Sequence, residues 1–290
     1  MAASILDYEE HLNCTIVDQL LKRYYLPVCY SVIFVVGLVG NITAIGIYLT
    51  KLRPWKSSSI IMVNLALTDL LYVLSLPFLV YYYSNGESWT LGDFMCRFVR
   101  FGFHFNLYGS ILFLTCLAVF RYVVVIQPLR AAQVQQKVWG IVACTAVWII
   151  TAAEVTPMLT MISLDKHNNK TYCLDFASAI PVHLRWYGRL LTAIGFLLPL
   201  VVVSMCYVGI VKQLTNGLSM SSPFRKRARR VTVLILVVFV VCFLPYHILR
   251  DKFRRAFIST FYPENWLTKV RSVLHLAIIS QAGPDMPADH

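Results

Sequence analysis

Residues 96–125 read "CRFVRFGFHFNLYGSILFLTCLAVFRYVVV", and from Phe101 to Val125 the only acidic or basic side chains are His104 and Arg121. Crossing the hydrocarbon core of a bilayer takes about 20 mostly apolar residues in a helix, so this run is long enough to span. Working outward, runs of similar length recur at Leu26–Leu49, Ser57–Tyr83, Val138–Leu164, Trp186–Val211 and Val231–Leu249. The chain has 290 residues, 58% of them hydrophobic and only 14% charged. A soluble helical domain would carry more charge and fewer such blocks. The reading is an all-α, polytopic membrane helix bundle.

The formal charge of +12 is a topology signal rather than a nucleic-acid footprint, because it is segregated. Lys51, Arg53 and Lys56 follow the first span, and Lys212, Arg225, Lys226, Arg227, Arg229 and Arg230 follow the fifth, with no acid among them. Asp7, Glu9, Glu10 and Asp18 precede the first span, and Glu87 and Asp93 follow the second. Basic loops stay cytoplasmic, which puts the N-terminus outside. The first apolar run is a full span rather than a cleavable leader, and is expected to act as its own insertion signal. The sequons at Asn13 and Asn169 fall on the outer side and are candidate glycosylation sites. So do Cys96 and Cys173, which are expected to pair and pin a loop over the bundle. Cys29, Cys116, Cys144, Cys206 and Cys242 lie within spans as small packing residues; Cys14 has no evident partner.

Each span carries a landmark: "GNITA" with Asn41, "NLALTDLLY" with Asp69, Cys96 and "FRYVVVIQP" at the two ends of the third, Trp148 and Pro157, Pro199 and Tyr207, and "CFLPYH" with Pro245. In this order and spacing they resemble the rhodopsin-like family of G-protein-coupled receptors. The stretches "GDFMCRFVRFGFHFNLYGSILFLTC", "KLRPWKSSSIIM" and "CFLPYHILR" resemble its nucleotide and carboxylate branch, above all the 2-oxoglutarate receptors, which also place Phe where Phe120 stands. The seventh helix departs from the pattern. Val270–Ser280 reads as its outer start, eleven residues long, before the polar tail "QAGPDMPADH". The expected architecture is therefore the seven-helix receptor type with the seventh helix truncated or missing: an N-terminal tail over 1–25, the bundle over 26–280 and an atypical tail over 281–290.

In a helix, Arg100, His104 and Tyr108 fall on one stripe at i, i+4, i+8, with Arg97 about a turn above. Arg97 is close enough to the interface to snorkel; Arg100 and His104 point along the stripe into the bundle. His247 and Arg250 form a second basic pair beyond Pro245. Taken singly, Arg250 is as well explained by snorkelling and His247 by core packing. Together with the stripe they give two cationic poles suited to a small dianion, since arginine holds a carboxylate through two parallel bonds. The resemblance implies the same: in the carboxylate receptors basic residues of helices three, six and seven hold the ligand. The helix-seven arginine would follow Ser280, where this chain has Gln281. Arg189 could add a charge at the outer start of the fifth span, though snorkelling explains it better.

The resemblance also implies an ion site at Asp69 with Asn106 and Ser110. Without a complete seventh helix the alternative is a protonated Asp69 hydrogen-bonded to Asn41, which is the reading preferred. Arg121, Tyr122, Tyr207 and Pro245 match the family's coupling and activation positions, with Phe120 unable to form the usual ion pair to the helix-three arginine. The basic run at 225–230 reads as a membrane-surface stripe. Catalysis is not indicated: there is no Gly-rich phosphate loop, no metal-spaced His/Cys cluster and no paired acids, and Glu154 is the lone acid of the fourth span with no evident partner. No cofactor or metal is expected. The functional expectation is a receptor for a small anion, a dicarboxylate such as 2-oxoglutarate, signalling through a Gq-type heterotrimeric G protein. The alternatives are a purinergic-type nucleotide receptor or a truncated, non-signalling form.

Overall fold

The computed structural model describes residues 20–50, 55–167, 170–174, 185–216 and 223–248. Asn13, Cys14, Asn169, Arg250 and the segment 270–280 lie outside the described residues, as do the side chains of 225–229.

Six helices are long and apolar enough to cross a membrane: Lys22–Thr50, Ser57–Ser84, Gly92–Ile126, Lys137–Thr160, Trp186–Gln213 and Arg230–Ile248, here spans one to six. Span three sits at the centre and touches spans two, four, five and six, while span one packs against span two. Span one turns Val28, Val32, Val35, Val36 and Val39 outward, as hydrocarbon requires of a helix with no water to exclude. With lipid as apolar as leucine, close backbone approach rather than burial drives helix association. Glycines mark those approaches. A Cβ on Gly140 of span four would lie 2.7 Å from the Ser57 Cα of span two, and one on Gly209 of span five would meet the Tyr122 ring of span three.

Proline shapes five of the six spans. A proline ring clashes with the carbonyl four residues back and supplies no N–H. The ladder relaxes to i→i−5 in π turns at Leu21–Tyr25, Ala193–Leu197 and Phe239–Phe243. Each of these turns ends two residues before a proline: Pro27, Pro199 and Pro245. In span two the helix breaks at Leu74–Ser75 ahead of Pro77, where the Ser75 hydroxyl donates to the Tyr72 carbonyl at 2.6 Å. In span four Pro157 ends the α-helix at Val155 and a 3₁₀ turn follows over Thr156–Thr160.

Two of the expected boundaries move. Span four does not continue to Leu164, because Pro157 unwinds it. The chain instead forms an antiparallel hairpin, β1 Ser163–His167 with β2 Lys170–Leu174, registered Ser163↔Leu174 to His167↔Lys170. That hairpin is the one addition to the all-α architecture among the described residues. Span three begins at Gly92 rather than Phe101. Its first turns are polar, yet held by contacts that hydropathy does not register: Arg97 Nε donates to Asp93 Oδ2 at 2.7 Å and its Nη1 to the Leu159 carbonyl.

Candidate ligand-binding site

The hairpin is fastened to the bundle. Cys96 and Cys173 form the expected disulfide. Trp89 N–H donates to the Thr171 carbonyl at 2.7 Å, and Lys170 Nζ to the Gly86 carbonyl at 2.9 Å. Gly86 takes a φ of +66° there, open to glycine at no steric cost. Beneath the hairpin the stripe of span three is buried: Arg100 is 1%, His104 1% and Tyr108 0% exposed. Arg100 Nη2 donates to the Cys173 carbonyl at 2.9 Å, so the guanidinium ties the disulfide-bearing strand to the centre of the bundle. His104 Nδ1 lies 3.0 Å from the Arg100 carbonyl one turn back. Arg97 is half-buried and engaged by Asp93 and Leu159, which replaces snorkelling as its role. Arg189 is exposed and stays outside this arrangement.

Span six meets the stripe through aromatic rings. His247 stacks on Phe196 of span five with centroids 4.2 Å apart and planes 15° off parallel, and it lies 6.2 Å from the Tyr108 ring. Phe103 bridges Tyr72 of span two and Tyr246 of span six at 5.7 and 6.0 Å. Tyr108 and His247 are thus brought together as neighbouring walls. The stacking partner Phe196 had no signal in the sequence, because only the fold sets spans five and six against each other. The Asp93–Arg97 pair did have one, in its i, i+4 spacing.

Asp69 lies half-buried midway along span two. Its Oδ1 accepts from Asn106 Nδ2 at 2.8 Å and from Ser110 Oγ at 3.4 Å. The expected Asp69–Asn41 bond is not formed: Asn41 Nδ2 donates to the Gly37 carbonyl of its own helix at 2.9 Å. Both residues nevertheless line one cavity of about 310 Å³ between spans one, two, three and six. At the other end of the bundle, Arg121 and Tyr122 close span three, half-buried, with the Tyr122 ring against Gly209; Tyr207 is half-buried in span five. The π turn Phe239–Phe243 of span six ends two residues before Pro245, and both features are common causes of helix kinks.

A model of the "7 transmembrane receptor (rhodopsin family)" matches residues 40–281. The chain belongs to that family. It is 53% identical over 250 residues to the "2-oxoglutarate receptor 1" of Rattus norvegicus and 52% to that of Mus musculus, in each case over 86% of this chain and 74% of the relative. It is 37% identical over 258 residues to a purinoceptor, "purinoceptor 1" of Homo sapiens, covering 88% of this chain and 69% of that receptor. The family is one of receptors, not enzymes, and this chain is a multi-pass membrane receptor of the rhodopsin type. Among the described residues no three His, Cys, Asp or Glu side chains are grouped to hold a metal.

Proposed function

We propose that the chain is a plasma-membrane receptor, N-terminus outward, that binds a small dianion of the 2-oxoglutarate class and signals to a Gq-type heterotrimeric G protein. The observation that carries this reading is the buried stripe Arg100–His104–Tyr108 lying directly under the hairpin, with Arg100 bonded to the Cys173 carbonyl. Orientation is supported by charge: Lys56, Lys137 and Arg230 lie at one end of the spans, Glu87, Asp93 and the hairpin at the other. Identity above one half with receptors named for 2-oxoglutarate favours a dicarboxylate.

In this reading a ligand carboxylate takes guanidinium donors of Arg100, in a geometry that a planar fork matches better than an ammonium. His104 and Tyr108 add directional bonds, and Arg250, outside the described residues, is the sequence's candidate for the second pole. Because Arg100 also holds the Cys173 carbonyl, ligand binding and hairpin position are linked through one side chain. His247, stacked on Phe196, transmits any shift of span three to span six just above its π turn. An outward swing there exposes Arg121, Tyr122 and Tyr207 to the G protein. Phe120 offers no carboxylate to restrain Arg121.

Dose–response of the full chain to 2-oxoglutarate, with surface delivery measured in parallel, tests the reading. Arg100→Lys keeps the charge but loses the fork, and is expected to lower potency at least about tenfold at equal surface level. Unchanged potency overturns the site. The nucleotide reading is kept because of the purinoceptor likeness; a response to nucleotide diphosphates with none to dicarboxylates would establish it.

A further inference from the structure

The stripe of span three is shut off from outside: Arg100, His104 and Tyr108 are at most 1% exposed, with the hairpin above them. A ligand held there enters only if a cover moves. The hairpin is tied down at two places of different strength. Near its base, Cys173 is bonded covalently to Cys96. Three residues away, about 10 Å along an extended strand, Lys170 Nζ donates to the Gly86 carbonyl at 2.9 Å. Beside it the Thr171 carbonyl accepts from the Trp89 N–H at 2.7 Å. The first tie is permanent, and the second is two hydrogen bonds to the loop after span two. That loop is strained. Gly86 and Glu87 are both left-handed, at φ +66° and +63°, and Glu87 is the one non-glycine residue with a positive φ among the described residues. A Cβ is disfavoured in that region, where glycine is at ease. The Glu87 N–H holds the conformation by donating to the Tyr82 carbonyl at 3.1 Å. The same peptide plane carries the Gly86 carbonyl. Turning that plane over takes Glu87 to ordinary negative φ and swings the carbonyl away from Lys170.

We propose that the hairpin is a lid over the basic stripe, pivoting at Cys173 and latched at Lys170, and that the strained Gly86–Glu87 peptide releases it. Strain held in place by its surroundings marks a backbone with a second state close in energy. In the latched state Lys170 and Thr171 are bonded and the stripe is covered. In the released state the peptide has turned, Lys170 has lost its acceptor, and the tip lifts while the disulfide keeps the base. Such a lid sets how fast a ligand enters and leaves. The inference rests on the dicarboxylate reading above and adds the gate to its site. Lys22 Nζ of span one lies 3.5 Å from the Glu87 carboxylate, so charge and strain at residue 87 have to be separated in the test.

Two variants separate them. Glu87→Gln and Glu87→Gly both lose the charge, and only Glu87→Gly also removes the strain. In the purified full chain, hydrogen exchange over residues 86–90 and 170–174 is expected to be at least about threefold slower in Glu87→Gly than in Glu87→Gln. That bound is the left-handed penalty less the extra freedom of glycine. Lys170→Met removes the latch itself, and is expected to exchange at least about threefold faster than the unmodified chain. Association and dissociation of radiolabelled 2-oxoglutarate should follow the same order, slower in Glu87→Gly than in Glu87→Gln and fastest in Lys170→Met. Equal exchange in the two residue-87 variants, or faster exchange in Glu87→Gly, overturns the inference. So does unchanged exchange in Lys170→Met, or exchange that shifts while the ligand rates do not. Failure of the unmodified chain to bind 2-oxoglutarate overturns the ligand reading instead, and the exchange order alone then upholds or overturns the latch.

Discussion

Asp69 and Glu154 are single acids in the apolar stretches of spans two and four, and they are kept in opposite ways. Asp69 has two donors, Asn106 and Ser110, and borders a cavity of about 310 Å³. Glu154 has none among the described residues, and is wedged among Tyr108, Gly195 and the backbone contact of Tyr187. Buried polar groups with partners stabilise or cost little, whereas those without partners persist only where something outside the visible contacts answers them. Asp69 therefore reads as part of the scaffold, with room beside it, and Glu154 as an enclosed acid with no hydrogen-bond partner among the described residues.

The sharpest way to break that contrast is to probe space. Gly195→Ala places a methyl group 2.7 Å from a ring that is itself fully buried. Overpacking of this kind costs about 1–3 kcal/mol, and should appear as a lower thermal midpoint of the solubilised receptor and reduced surface delivery. Gly46→Ala, with nothing within 4 Å, is the matched control and is expected to be neutral. Equal effects at the two glycines would mean that Tyr108 and Glu154 are not tightly enclosed.

The next effect is in hydrogen bonding. Asp69→Ala leaves Asn106 with only the long contact to Ser110 Oγ at 3.5 Å, and should cost about 1–3 kcal/mol by thermal unfolding, the range for a buried group losing its partner. Asp69→Asn retains an acceptor and should recover most of it. Tyr187→Phe removes the hydroxyl that holds the Glu154 turn, for a smaller loss of about 0.5–1.5 kcal/mol.

What could be read from residues alone divides along the same line. The six spans were legible because length and hydropathy report directly on what a bilayer admits. The stripe Arg100–His104–Tyr108 was legible because helical spacing places residues on one face. Depth and partner were not. The same spacing says nothing of the hairpin whose Cys173 carbonyl lies over Arg100, or of Phe196 under His247, since both depend on how distant segments pack. The end of span four was misjudged because hydropathy continues past Pro157 while the hydrogen-bond ladder does not. Asn41 was assigned to Asp69 because both are polar groups in neighbouring spans.

That last assignment leads to the smallest expected effect, which discriminates most cleanly. Asn41 lines the same cavity as Asp69, so proximity alone does not decide whether the two are bonded. In the structure its amide returns to the Gly37 carbonyl, a carbonyl already served by its own helix. Asn41→Ala should therefore change stability by no more than about 0.5 kcal/mol, the usual range for a side chain outside the networks that matter. Combined with Asp69→Ala, the two losses should add, because residues that share no bond couple weakly. A direct Asp69–Asn41 bond makes two different demands. The single Asn41 change would approach the cost of Asp69→Ala, and the double variant would be less destabilised than the sum by about 0.5 kcal/mol or more. Non-additivity of that size would place Asn41 within the Asp69 network. The cavity between them would then have to close, and Asp69 would become a group whose partners change with the state of the bundle rather than a fixed part of its scaffold.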